Sequence, residues 1–358
     1  MRKANRKGKK FNGKTIGLDL HKAFIEYVVI DEKGDEIAGG NIGTDRKKLK
    51  KLLGKFGLKV QVVMEACGLF YWVHDISAEM FGKENVHVAQ SSRIKAIANS
   101  HEKNDTNDAW WLAYLLYERR LPDCWVPEGD VRDLRIYTRE LRTQINSRSD
   151  SLRRLRSHFA QEGIKLVGSS LNTIKARAQL SEVISNLSEA RQIAVSDIID
   201  EIEFFDLRIE ASRKRIKDFT KEMLPVKMMQ DVIPGIGVTL APIIYAELGD
   251  ATRFYSAKAY AKATGLTPSY RESGGKKHGG GIARAGSAQA RWALTRAVVG
   301  IMRCKSGAGL VIKNWITNQR KRKPYGKVVV AAARKLAEAI WRLFTYGECF
   351  DVAKAFGG

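Results

Sequence analysis

Four carboxylates stand where they could share metal ions. Asp19 closes a short apolar run in Gly17-Leu18-Asp19-Leu20-His21-Lys22, and Glu65 closes another in Val62-Val63-Met64-Glu65-Ala66. Asp105 and Asp108 lie three apart at the start of a helical pattern, which puts them on one helix face. Four anions brought together repel one another unless cations bind among them. Oxygen-only ligands suit Mg2+ or Mn2+. Two such ions activate an attacking oxygen and stabilise a leaving one at a phosphodiester. Singly, each acid has a plainer use. Asp19 can cap a turn, Asp105 or Asp108 a helix, and Glu65 reads as a partly buried carboxylate that is costly without a partner.

The elements around these acids decide whether they meet. Thr15 to Leu20, Phe24 to Ile30 and Glu36 to Ile42 read as strands, with an Asp31-Glu32-Lys33-Gly34 turn between the last two. Asp45 to Phe56 has helical spacing, Val60 to Ala66 and Val86 to Ala89 are buried-type strands, and Asp105 to Arg119 is a helix. Three strands followed by helix, strand, helix, strand and helix is the element order of a ribonuclease-H-like domain, here residues 12–127. In such a sheet the ends of the first and fourth strands are neighbours, and the last helix carries Asp105 and Asp108 to the same place. The expected fold class is α/β plus all-α.

Residues 128–222 carry apolar positions in threes and fours. One run includes Leu134, Leu141, Leu152, Leu155 and Phe159, the other Val195, Ile198, Ile202, Ile209 and Ile216. This is a coiled-coil seam. An antiparallel hairpin within the chain, pairing between protomers, or both would bury it. Arg148 at a seam position implies a partner or a register device. A Gly-containing break near Gly163 and Gly168 separates the runs.

Residues 223–358 begin with Ile233-Pro234-Gly235-Ile236-Gly237 between helical patterns at Lys221 to Val232 and Val238 to Glu247. This resembles a helix-hairpin-helix, whose glycine backbone can approach a phosphate. A tight turn packing two helices is the plainer alternative. From Ser273 to Ala337 there are fifteen Lys and Arg and no Asp or Glu. A solvated face mixes signs, so a stretch of one sign points to phosphate. Arg320-Lys321-Arg322-Lys323 lies within it. Ser273 to Gly281 reads as a flexible Gly-rich loop that either reaches a phosphate or merely connects.

The whole chain agrees with a polyanionic partner. Its 358 residues hold 62 Lys and Arg against 39 Asp and Glu, a net charge of +23. No apolar run approaches the ~18 residues that span a bilayer, and no apolar segment follows the basic Met1 to Lys10 to make a secretory signal. Cys67, Cys124, Cys304 and Cys349 form no Cys-x-x-Cys pair, which excludes a zinc ribbon and fits a cytoplasmic location. No Gly-x-x-x-x-Gly-Lys-Ser/Thr loop is present for ATP-driven chemistry.

Gly17 to Lys22, Glu65 and Lys103-Asn104-Asp105-Thr106-Asn107-Asp108-Ala109 together resemble the DEDD transposases of bacterial insertion sequences, the bridge-RNA-guided recombinases. Pro234-Gly235-Ile236-Gly237, Arg253-Phe254, Gly265-Leu266-Thr267-Pro268, Ser273-Gly274-Gly275, Gly286 and Arg291 follow the order of that family's transposase domain. Asn104 stands where Thr is commoner. The resemblance implies a junction-resolvase-like N-terminal domain whose Asp19, Glu65, Asp105 and Asp108 hold divalent metal. It implies that Ser273 is a nucleophile that becomes phosphate-linked, with a structured guide RNA selecting donor and target double-stranded DNA. By chemistry alone a serine hydroxyl needs activation, and Ser273 is equally a turn residue. Arg271, Lys276, Lys277, Arg284 or Arg291 could stabilise the developing charge. Ser287, after Gly286, is the competing serine. The alternative reading is a metal-dependent, structure-specific nuclease using the acids alone. Strand exchange on two duplexes needs several sites held together, so a homodimer assembling to a tetramer is expected.

Overall fold

The computed structural model describes residues 11–90, 106–165, 174–273, 276–283 and 285–357. The chain divides into two compact units, residues 1–126 and 127–358. Among the described residues no helix is long and apolar enough to cross a membrane.

In the first unit β1 (Lys14–Leu20), β2 (Phe24–Ile30) and β3 (Glu36–Gly43) form an antiparallel meander. The Asp31 carboxylate closes its second turn by accepting from the backbone N–H groups of Lys33, Gly34 and Asp35. These bonds, that from Asp35 foremost, hold the Asp31 carboxyl below its ordinary range. Asp45 then caps α1 (Arg46–Leu53) by accepting from Lys47 N and Lys48 N. Next come β4 (Val60–Glu65), α2 (Phe70–Phe81), β5 (Val86–Ala89) and α3 (Thr106–Tyr117). The strands lie in the order β3-β2-β1-β4-β5, with β1, β4 and β5 parallel.

Side chains alternate across this sheet. Ile16, Leu18, Leu20, Val62 and Met64 face Leu49 and Leu53 of α1 and Val73 and Ile76 of α2. The opposite face belongs to α3: Ala109 and Ala113 pack on Val28 and Ile30, and Leu112, Leu115 and Leu116 pack on Val63 and Ala89. Gly17 sets the closeness of that contact. A Cβ there would lie 2.0 Å from Ala109 O and 2.8 Å from Ala113 N.

The second unit opens with α4 (Gly129–Gln161), α5 (Ile174–Ser185) and α6 (Glu189–Thr220). The heptads of α4 and α6 bury each other within one chain. Leu152, Leu155 and Phe159 meet Val195, Ile198 and Ile202, while Leu134 and Leu141 meet Ile209 and Ile216, so the pair is antiparallel. Arg148 finds its partner across this seam, donating from Nε to Asp206 Oδ1 at 2.5 Å and from a terminal nitrogen to Oδ2 at 3.1 Å. Ser212 Oγ donates to Gln144 Oε1 at 2.9 Å. Polar pairs at single seam positions fix the register.

The remaining elements are α7 (Leu224–Val232), α8 (Leu240–Leu248), α9 (Ala257–Ala263), β6 (Pro268–Ser273), β7 (Lys276–Ile282), α10 (Ala288–Ile301), α11 (Gly307–Arg320), α12 (Tyr325–Tyr346) and α13 (Val352–Phe356). One core unites the helices, with Ile243, Ile244, Leu294, Val298, Leu336 and Ile340 at its centre. Gly235, at φ +78, turns the chain between α7 and α8 where a Cβ would meet Ala297 O at 2.6 Å. The stretch expected as a Gly-rich loop is instead an antiparallel hairpin, β6 with β7. Glycine weakens a strand by its lack of a side chain, yet it keeps the N–H and C=O that make the ladder, so it breaks the alternation pattern without abolishing pairing.

Candidate active site and nucleic-acid surface

The first unit places Asp19 and Glu65 side by side. Parallel pairing of β1 with β4 runs in register to Leu18 opposite Met64, and the next position on each strand is Asp19 and Glu65. Adjacent strands are about 4.8 Å apart. Asp19 lies two residues from Gly17, and Glu65 two residues from Val63, so both belong to the face covered by α3.

α3 runs back along β1, and its direction brings its N-terminus to the acids. Its last residue, Tyr117, donates from Oη to Lys33 O at 2.8 Å, at the β2–β3 turn beside the start of β1. Its first residue, Thr106, therefore lies towards the end of β1. Asp108 sits exposed in that first turn, where the helix dipole favours an anion. Asp105 precedes the helix and lies outside the described residues.

Two further ionisable groups share this end of the sheet, and neither was singled out by spacing. Glu26 of β2 is the antiparallel partner of Asp19. Glu26, Asp19 and Glu65 thus form a row across three strands on one face. The signal was present: Glu26, Val28 and Ile30 alternate, and Glu26 is the polar member of an otherwise apolar face. His21 Nε2 lies 2.8 Å from Asp19 Oδ2, with its ring 4.5 Å from that of Phe24. The Asp19 carboxylate is largely covered, at 14% exposure.

The donor set is hard oxygen of like charge, which suits Mg2+ or Mn2+. Among the described residues no three His, Cys, Asp or Glu side chains converge closely enough to hold an ion. Asp19 and Glu65 are the pair the backbone brings together.

In the second unit Ser273 is the last residue of β6, paired with Lys276 across the connection 274–275; Glu272 pairs with Lys277 and Arg271 with His278. The register thus puts Arg271, Lys276 and Lys277 within one or two ladder positions of Ser273. Arg284 lies outside the described residues. Arg291 is half-buried and reaches Thr264 O at 3.5 Å. Arg320, Lys321, Arg322 and Lys323 are exposed at the end of α11, with the Arg320 guanidinium 4.9 Å from the Tyr325 ring centre.

Ser287 has a structural task. Its Oγ accepts from Ala290 N at 3.1 Å, capping α10, and donates to Glu247 Oε2 at 2.9 Å. Gly286, at φ +157, precedes it where a Cβ would lie 2.3 Å from Ala263 O. Ser287 N bonds Ala263 O, and Ala283 N bonds Thr267 O, so these residues form the foot of the β6–β7 hairpin. Glu247 is clamped in turn by Arg139 of α4, Nε to Oε1 at 2.8 Å and a terminal nitrogen to Oε2 at 3.2 Å. Burial alone would raise the Glu247 carboxyl. The bonds from Arg139, the charges of Arg139 and Arg135 and the Ser287 hydroxyl outweigh it and hold the carboxyl below its ordinary value.

Comparison with known proteins matches both units. Residues 16–163 match a transposase family model of the DEDD, IS110 type, and residues 231–310 match the model described as transposase IS116/IS110/IS902 family. A probable family 20 transposase of Pseudomonas aeruginosa is 21% identical over 344 residues, 94% of this chain and 98% of its own. The transposase for insertion sequence element IS1111A of Coxiella burnetii is 23% identical over 340 residues, 94% of this chain and 91% of its own. The transposase for insertion sequence element IS1328 of Yersinia enterocolitica is 33% identical over 120 residues, 33% of this chain and 36% of its own.

Proposed function

Since the chain belongs to the IS110 family of transposases, and is thus an enzyme of DNA recombination, we propose that it is an RNA-guided recombinase. It cleaves, exchanges and rejoins donor and target DNA through a serine-linked intermediate. The observation that carries this reading is the presence in one chain of two chemistries: paired carboxylates at the end of a sheet, Asp19 and Glu65, and Ser273 at the tip of a hairpin rich in Lys and Arg.

The Ser273 Oγ attacks a DNA phosphorus. An Oγ–P bond forms, one P–O bond to deoxyribose breaks, and its oxygen leaves as a hydroxyl; the serine proton passes to solvent or a neighbouring base. A hydroxyl from the other duplex then attacks the same phosphorus, regenerating the serine. No net hydrolysis occurs. Arg271, Lys276, Lys277, Arg284 and Arg291 offset the charge that grows on the phosphoryl oxygens. Asp19, Glu65, Asp105 and Asp108 would hold a divalent ion, whose chemistry would be to stabilise negative charge on phosphoryl oxygens.

Several finer features belong to this reading. The strand order β3-β2-β1-β4-β5 supports a ribonuclease-H-like first unit. The turn at Gly235-Ile236-Gly237 supports a helix-hairpin-helix contact to phosphate. A structured guide RNA selects both DNA partners by base pairing, leaving the protein to read backbone and shape. Two or four chains assemble to hold two duplexes.

A denaturing gel tests it. The full chain is incubated with Mg2+, element-end RNA and labelled donor and target DNA, with Ser273→Ala and an EDTA control alongside. A labelled protein–DNA adduct lost in the variant and in EDTA is expected. Equal cleavage by both proteins with no adduct would instead establish hydrolysis by the acids alone.

A further inference from the structure

Arg135, Arg139 and Arg142 occupy one face of α4 at spacings of four and three. The first two are satisfied. Arg135 donates to the backbone oxygens of Ala246 and Glu247 at 2.9 and 3.0 Å, and Arg139 to the Glu247 carboxylate. Arg142, the next turn along, meets no acid. Its guanidinium carbon stands 3.9 Å from the centre of the Trp292 ring on α10. Arg296, one turn beyond Trp292, reaches the same ring at 5.9 Å. Among the described residues neither Arg142 nor Arg296 takes a hydrogen bond or an ion pair.

Two cations on one indole are an unstable arrangement by themselves. Each is attracted by the ring quadrupole, but they repel each other. Burial, and after it the Arg296 charge, lowers the Arg142 pKa. The preceding turn of α4 is anchored on α8 through the Glu247 carboxylate, whereas the Arg142 contact carries no acid. Here α10 lies in the stretch from Ser273 to Ala337 that has none. Arg142 and Trp292 are half-buried and Arg296 is exposed, so an anion can enter from solvent. Guanidinium forks match phosphate oxygens in geometry.

We propose that Arg142, Trp292 and Arg296 form a DNA-backbone site, in which the two guanidiniums bind a phosphate and the indole holds the Arg142 plane in position. The proposal rests on the reading that the chain acts on DNA and adds a contact surface to it. DNA is favoured as the source of the phosphate because the chain is a transposase with a charge of +23.

The test measures binding of the full chain to a labelled mixed-sequence DNA duplex across a salt series, with Arg142→Gln, Arg296→Gln and the double variant. A structured RNA is titrated in parallel, and each protein is melted thermally. Each single variant is expected to bind the duplex about tenfold more weakly, and in the double variant, which loses the phosphate altogether, the slope of log K against log salt should shrink by about 0.9. Tm should hold or rise, because a like-charge contact is relieved. Unchanged affinity and slope would overturn the proposal, as would a fall in Tm with the slope intact, the mark of a packing role. A loss confined to RNA would overturn the assignment to DNA. Failure of the wild type to bind any duplex would remove the DNA reading itself, a result separate from equal binding by all variants.

Discussion

The clamp on Glu247 gives an asymmetric prediction. The Glu247 side chain is 4% exposed and that of Arg139 53%. Removing either partner breaks the same bonds but strands a different charge. Arg139→Gln leaves a carboxylate inside the protein, held by the Ser287 hydroxyl and the charge of Arg135. Breaking a buried pair this way costs about 3–5 kcal/mol, and the half-exposed position of Arg139 puts the value near the lower end. Glu247→Gln leaves a guanidinium that solvent can reach and keeps an acceptor for Ser287 Oγ, so it costs about 1–2 kcal/mol. For a unit the size of residues 127–358, each kcal/mol moves Tm by about 2–4 °C. Arg139→Gln should therefore lower Tm by about 10 °C and Glu247→Gln by about 4 °C, followed by circular dichroism of the full chain.

The pH dependence checks the cause. In the wild type the folded carboxyl lies below its ordinary 4.5. Its contribution is complete above pH 4.5 and is lost as pH falls through the folded value. In Arg139→Gln burial dominates, so the folded carboxyl rises above 4.5 and folding takes up a proton there. The Tm gap between variant and wild type should be widest near pH 7 and close as pH drops towards 4. Equal costs for the two substitutions, or a gap indifferent to pH, would refute the reasoning. Because Ser287 and Gly286 seat the hairpin that carries Ser273, the same variant should also form less adduct.

Two other substitutions test the packing that positions the site. Gly17→Ala inserts a methyl 2.0 Å from Ala109 O, so α3 must lift from β1 at a cost of about 1–3 kcal/mol; hydrogen exchange should quicken in Thr106–Tyr117, whereas Gly54→Ala, with nothing within 4 Å of its Cβ, should leave it unchanged. Arg148→Met should lower Tm only modestly, because the Asp206 side chain left behind is 37% exposed and solvent reaches it, and Arg148→Met with Asp206→Leu should recover most of the loss, since an apolar pair replaces a half-buried ionic one at little net cost.

Much was written locally in the chain. Short apolar runs at Thr15–Leu20 and Val60–Glu65 mark strands, the three–four spacing of Leu134 to Phe159 and Val195 to Ile216 marks long helices, and the one-signed charge from Ser273 to Ala337 is read directly from composition. Each of these depends on neighbours a few residues apart, which one stretch of sequence contains. What sequence left open depended on partners far away in the chain. The heptads allowed pairing within or between chains, and burial of Leu155 against Val195 in one chain decided the α4–α6 contact. Glu26 joined the acidic row only through the β1–β2 register, which pairs it with Asp19. Ser287 acquires its helix-capping place and its bond to Glu247, forty residues earlier, only through the fold. Arg142 and Trp292 meet because α4 and α10 both pack against α8, a closure that no period in either helix encodes. Period and charge are local and survive in the unfolded chain; register, pairing and the company of a buried charge exist only once distant segments have been brought together.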